Sequence, residues 1–143
     1  MTDDSNPRGQ LTVRISAMPA DTNANGDIFG GWVLSRMDQA GGIAGVERAR
    51  GRVVTIALDA MKFIRPVRVG DTLEVYTAVE SIGRTSMVIH VEAWARRFQT
   101  LIHEKVTDAN FTFVAIDDNG KPRPIPPTCA DSGAPLDISH EHS

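Results

Sequence analysis

Polar and apolar residues alternate along three stretches of the chain and change period in a fourth. From Leu11 to Met18 the apolar side falls on Leu11, Val13, Ile15 and Ala17, with Thr12, Arg14 and Ser16 opposite, the period of a half-buried strand. The same period returns from Thr72 to Ser81, where Leu73, Val75, Thr77 and Val79 alternate with Glu74, Tyr76, Ala78 and Glu80. It returns again from Thr85 to Arg97, with Met87, Ile89, Val91, Ala93 and Ala95 opposite Val88, His90, Glu92, Trp94 and Arg96. Val53 to Phe63, rich in β-branched residues, and Glu104 to Asp117 read as two further strands. Between the first two strands Leu34, Met37, Gly41 and Ala44 recur at helical spacing, so a helix is predicted from Gly30 or Gly31 to about Arg50, with Gly51 as its C-cap.

The order is strand, loop, long helix, then four strands joined mostly by short turns. That predicts an α+β fold, one helix against five or six antiparallel strands in a single layer. Gly41, Gly42 and Gly45 inside the helix each cost about 1 kcal/mol relative to alanine. The cost makes sense where a sheet wraps the helix and backbones come close. The domain is expected over 11–126, with a flexible N-terminus at 1–10 and a flexible Pro-rich tail at 127–143.

Composition narrows the function classes. At 143 residues, 41% hydrophobic and 23% charged, the chain suits one globular domain. A net charge of −3 gives no general pull toward nucleic acid or anionic membranes. One cysteine, Cys129, permits no intramolecular disulfide, and no apolar run reaches bilayer length, so a cytoplasmic protein is expected.

Candidate chemistry concentrates between Thr22 and Gly42. Asp38 is a carboxylate among apolar and very small neighbours, and a partly desolvated carboxylate is a stronger base toward water. The alternative is an exposed helical Asp paired with Arg36 or another surface base, the commoner arrangement on a helix. Asn23 and Asn25 either close Asx turns or present an amide to a ligand. Gly30 and Gly31 place free backbone N–H groups at a helix start, which suits a developing oxyanion. His90 and His103 have no acidic or Cys partner at metal spacing along the sequence, so no metal is expected. His140, His142 and Cys129 lie in the tail. Arg65, Arg68, Arg84, Arg96 and Arg97 fall near turns and strand ends, where most arginines are solvated and a few meet phosphates.

Taken together, Asn23-x-Asn25-Gly26-Asp27-x-Phe29-Gly30-Gly31 and the Met37-Asp38 that follows resemble the hotdog-fold acyl-CoA thioesterases, the bacterial single-domain YciA-type enzymes above all. The likeness continues through Gly51-Arg52-Val53-Val54-Thr55, Met61-Lys62-Phe63-Ile64-Arg65-Pro66, Val69-Gly70-Asp71, Gly83-Arg84-Thr85-Ser86, Val91-Glu92-Ala93-Trp94 and Phe111-Thr112-Phe113-Val114-Ala115. It implies hydrolysis of acyl-CoA to free acid and CoA without a metal or other cofactor. It implies a homodimer as the minimal active unit, often assembled as a trimer of dimers, with no nucleic-acid or membrane partner.

By the same resemblance Asp38 serves as general base, or as a nucleophile forming an anhydride. Asn23 comes from the opposite protomer, and Gly31 offers an oxyanion donor. Gly30, Arg65, Gly83, Arg84, Thr85 and Ser86 would meet the substrate and its CoA moiety. The rival readings are a hotdog acyl-CoA sensor without turnover, a hydratase or dehydratase (which would need a histidine near the helix start), and a purely structural oligomer.

Overall fold

A computed structural model describes residues 5–128 of the chain. Most of the expected tail at 127–143, with Cys129, His140 and His142, lies outside the described residues. The elements are β1 (Gln10–Ser16), a single 3₁₀ turn at Pro19–Asp21, α1 (Gly30–Ala49), β2 (Val53–Leu58), β3 (Thr72–Ile82), β4 (Ser86–Arg96) and β5 (His103–Ala115). The strands form one antiparallel sheet in the order β1-β3-β4-β5-β2, so β1 and β2 are its edges.

β2 is shorter than its apolar run suggests. Its pairing with β5 slips between Thr55 and Ala57 and the ladder ends at Leu58, opposite Phe111. From there to Phe63 the chain is held to β5 only by scattered bonds, such as Asp59 N–H to Asn110 O at 3.1 Å. A bulge of this kind bends a strand off its partner, so the apolar run continues without remaining in the sheet.

The helix lies across one face of the sheet, and its packing decides which residues are core. Val33, Met37, Ala40, Gly41, Gly45 and Ala49 are buried against Leu73, Val75, Ile89, Val91, Phe111 and Phe113. The buried stripe follows the i, i+4 row Val33, Met37, Gly41, Gly45 and Ala49, with Ala40, while Leu34 and Ala44 are only partly buried. Gly41 sets how closely this row meets the sheet. A Cβ there would stand 2.8 Å from the Phe113 ring, so only a glycine lets the ring seat against the helix backbone. At the helix C-terminus the left-handed residue is Arg50 (φ 55) rather than Gly51. Gly51 instead leaves room for the Arg123 guanidinium, whose Nη2 donates to Ala49 O at 2.9 Å and Nε to Ile116 O at 3.1 Å. The cation there also suits the negative end of the helix dipole.

The opposite sheet face is not the solvated surface that simple alternation implies. Trp94, Glu74, Glu92 and Lys105 are all buried, and the Trp94 and His103 rings lie 4.8 Å apart. His90 approaches Asn110 Oδ1 with Nδ1 at 2.9 Å and Glu92 Oε2 with Nε2 at 2.8 Å. Two acceptors favour the doubly protonated ring, and the hydrogen bond to Glu92 raises the His90 pKa above its ordinary value. Burial pushes the Glu92 carboxyl upward, but bonds from His90, Trp94 Nε1 and the Arg8 amide, with Lys105 nearby, hold it at about 2. His103 is shifted the other way, lowered by burial and by Arg96 against the pull of Glu74.

The expectation that His90 lacks acidic partners is corrected here. Glu92 and Asp108 converge with it, their ligand-type atoms within 4.8 Å of one another. The pattern was hidden because Asp108 arrives from the neighbouring strand. The Lys105 ammonium, 2.5 Å from Asp108 Oδ2 and 3.8 Å from Glu92 Oε2, already supplies a cation to these carboxylates.

Two outcomes are expected. Gly41→Ala gains helix propensity but forces the Phe113 ring to move, and a net loss of roughly 1–3 kcal/mol is expected in urea unfolding. In a Phe113→Leu background the same change should cost less, because the obstructing ring is gone. Glu92 keeps its charge in the fold down to about 2 against 4.5 for the ordinary value, so its contribution is complete above 4.5 and is lost as pH falls from there toward 2. Urea melts across that window should show a steeper fall for the wild type than for Glu92→Gln, which is weaker at neutral pH but less acid-sensitive.

Candidate active site

The loop before the helix is held by its own polar groups. Asn23 Oδ1 accepts from the Asn25 and Asp27 amides at 2.9 and 3.2 Å, and Asn23 N–H donates to Asp27 O at 2.7 Å. Gly26, with φ 84, makes the turn. Ile28 is buried, and its amide donates to Val67 O at 3.0 Å, while Phe29 N–H reaches Asp21 O at 2.9 Å. The Asx-turn reading of Asn23 is therefore correct, and it has a chemical consequence. With Oδ1 accepting from two amides, Nδ2 is left as the donor end of the side chain.

The helix then starts without a cap. Phe29 is the N-cap residue and makes no side-chain cap hydrogen bond. Trp32 and Val33 amides both turn back to Phe29 O, leaving those of Gly30 and Gly31 as the open donors of the first turn. A cleft of about 360 Å³ opens beside them, lined by Asn23, Asp27, Gly30, Phe63, Arg65 and Val106, among others.

Asp38 is not in that cleft. It lies eight residues along α1 from Gly30, about 12 Å at the helical rise. It is half-buried, and the Thr55 hydroxyl on β2 donates to its Oδ1 at 2.6 Å. It is not paired with Arg36, whose guanidinium sits 6.0 Å over the Trp32 ring. One carboxylate oxygen is thus held by an edge-strand hydroxyl, and no bond to Oδ2 is seen among the described residues. The pattern along the chain did not single out Thr55. The signal was its place on the strand that returns along the helix, where a hydroxyl can meet a carboxylate.

The expected CoA contacts fall at opposite ends of the sheet. Gly83, Arg84, Thr85 and Ser86 form the β3–β4 turn, with Gly83 N–H to Ser86 O at 2.8 Å, and Ala115 and Ile125 amides donating to Thr85 O and Arg84 O at 2.8 Å each. Arg65 is near the other end of β4, about 30 Å away by strand rise. Its Nη1 donates to Lys105 O at 2.7 Å and its Nε pairs with Glu104 at 3.3 Å. Within one chain Arg65 shares a cleft with Asn23 and Gly30 but not with Asp38 or the Gly83–Ser86 turn.

Residues 25–100 match the thioesterase superfamily. The acyl-CoA thioester hydrolase YciA of Salmonella typhimurium is 48% identical over 128 residues, covering 87% of this chain and 96% of that protein. The crystal structure of a hexameric thioesterase from Yersinia pestis superposes with a TM-score of 0.82 at 47% identity, over 85% of this chain and 100% of that one. An acyl-CoA hydrolase from Staphylococcus aureus, solved as an asparagine-to-alanine mutant with coenzyme A, matches at 30% identity and a TM-score of 0.75, over 80% of this chain and 68% of that one. An aspartate-to-alanine mutant of the same enzyme is also known, and the two mutated residues lie fifteen positions apart, as Asn23 and Asp38 do here.

Proposed function

The chain belongs to the thioesterase superfamily as an acyl-CoA thioester hydrolase of hotdog fold, and from that premise we propose that Asp38 is its general base. The observation that carries this is the half-buried carboxylate held at Oδ1 by Thr55, with Oδ2 unoccupied. Asp38 takes a proton from water as the water oxygen bonds the thioester carbonyl carbon. The oxyanion is received by the Gly31 amide of the partner subunit, a donor worth roughly 3–4 kcal/mol, since Gly31 of the same chain stands seven residues from Asp38, about 10 Å along α1. Collapse of the intermediate breaks the C–S bond, and the thiolate leaves with the electron pair and recovers the proton. These steps use side chains, backbone amides and water, and CoA enters only as part of substrate and product.

Asn23 of the partner subunit completes this site, its Nδ2 directed at the carbonyl or the water. Support comes from the distance between Asp38 and the Asn23 cleft within one chain, and from the edge strand. β2 leaves Val54, Ile56 and Leu58 exposed on an unpaired edge, beside exposed Phe63 and Ile64. An apolar edge of that kind is made to be covered. Antiparallel joining of two β2 edges turns the two protomers end for end. Gly30 and Arg65 of one chain then face the Gly83–Ser86 turn of the other, and the acyl-CoA substrate spans both. Three such pairs give the six-chain assembly known for the Yersinia pestis relative.

The assay follows thiol release from a series of acyl-CoAs. Asp38→Asn should lower kcat by about 10²–10⁴-fold while melting like the wild type, and Asn23→Ala by about 10²-fold. A folded Asp38→Asn enzyme turning over at the wild-type rate would remove the base assignment. Wild type that binds acyl-CoA and releases no thiol would instead be a sensor. Thr55→Val should lower kcat with KM little changed, because the hydroxyl fixes the orientation of the Asp38 carboxylate, and Thr55→Ser should restore it.

A further inference from the structure

The cleft beside the helix start has an apolar interior and a polar mouth. Ile28, Val33, Val67 and Val106 form its floor, each at most 5% exposed. Backbone groups around that floor are already satisfied, Ile28 N–H by Val67 O at 3.0 Å and Ile64 N–H by Val106 O at 2.9 Å. At the rim Arg65 is turned to Lys105 O (2.7 Å) and Glu104 (3.3 Å), while Asp27 brings a carboxylate. CoA phosphates would meet no unpaired cation among these lining residues, and the amides of the pantetheine arm would find no partners inside. Hydrocarbon meets neither cost.

Phe63 is the wall of this cleft nearest the helix start. A Cβ at Gly30 would stand 3.3 Å from its ring, so the ring lies against the first turn of α1. The chain on either side is pinned to β5, by the Thr107 hydroxyl on Lys62 O at 2.6 Å and by the Ile64 amide on Val106 O. Phe63 is 46% exposed, so a smaller or larger side chain there costs the core little.

We propose that the acyl chain of the substrate enters this cleft and that Phe63 sets how long a chain is accepted. The proposal rests on the reading of Gly31 and Asn23 as donors to the thioester, which puts the carbonyl at the mouth of the cleft, facing Asp38 of the partner subunit. From there the acyl carbons run inward over the apolar floor and past the Phe63 ring. The CoA moiety stays outside, toward the Gly83–Ser86 turn of the partner subunit. A cleft of about 360 Å³ holds a chain of medium length, on the order of ten carbons if each takes roughly the volume of one water. Longer chains have the ring in their way. One methylene gained or lost in an apolar pocket changes kcat/KM by roughly tenfold or more, so a single wall residue is enough to set the preference.

The readout is the ratio of kcat/KM for myristoyl-CoA to that for hexanoyl-CoA, followed by thiol release. Phe63→Ala should raise this ratio about tenfold over wild type, Phe63→Leu should fall between the two, and Phe63→Trp should lower it. If the three variants keep the wild-type ratio, or change kcat/KM by one common factor at every chain length, the ring does not meet the acyl chain and the proposal fails. It fails too if Phe63→Ala sediments as single chains with activity lost for every acyl-CoA, because the ring then belongs to the contact between protomers. The underlying reading is tested apart from the ratio. A folded Asn23→Ala enzyme working at the wild-type rate would remove the carbonyl from this mouth, and the proposal with it, even where the Phe63 variants shift the preference.

Discussion

Everything in this structure depends on how closely one helix can approach one sheet. A five-stranded layer has no second layer to bury its inner face, so α1 supplies the cover alone. Gly41 against Phe113 and Gly45 against Val53 remove the side chains that would otherwise hold the helix off. The same approach brings β2 alongside the helix and puts the Thr55 hydroxyl within 2.6 Å of Asp38. Packing and chemistry are therefore set by one spacing. Widening it would loosen the core and release the carboxylate together.

Much of this was legible in the sequence, for a physical reason. Period-2 alternation is strong where one face of a strand is buried, and β3 and β4 were located to within a residue at each end. The helix was legible from its period, and its purpose from its glycines. What was not legible lay in contacts between strands. The buried charge network on the outer face joins His90, Glu92, Lys105 and Asp108, which meet only when β4 and β5 pair. The close seat of the helix depended on the Phe113 ring, seventy-two residues from Gly41. The end of β2 depended on a register slip that apolar content does not encode.

The candidate site divides along the same line. Asp38, Asn23 and the Gly30-Gly31 pair could be singled out by residue type and local spacing, and the family resemblance assigned them roles. Thr55 could not, because a threonine on a strand is unexceptional until its neighbour is known. The arrangement also explains why one chain looks incomplete. The loop, the helix start and Arg65 gather at one end, the Gly83–Ser86 turn stands at the other, and Asp38 lies between. A substrate long enough to need all of them needs two chains turned end for end.

The two ends of α1 are held very unequally. At its C-terminus Arg123 binds Ala49 O, and Arg48 Nη1 reaches Pro126 O at 2.6 Å, so the last turn is stitched to the end of the domain. At its N-terminus no side chain caps the first turn. Amide hydrogens there should exchange with solvent far sooner than those around Met37, and fraying of the helix should begin at this end. A bound thioester oxygen would fill the place a serine or aspartate cap takes in other helices. On the proposed oxyanion role, occupancy and local folding of the first turn would favour each other.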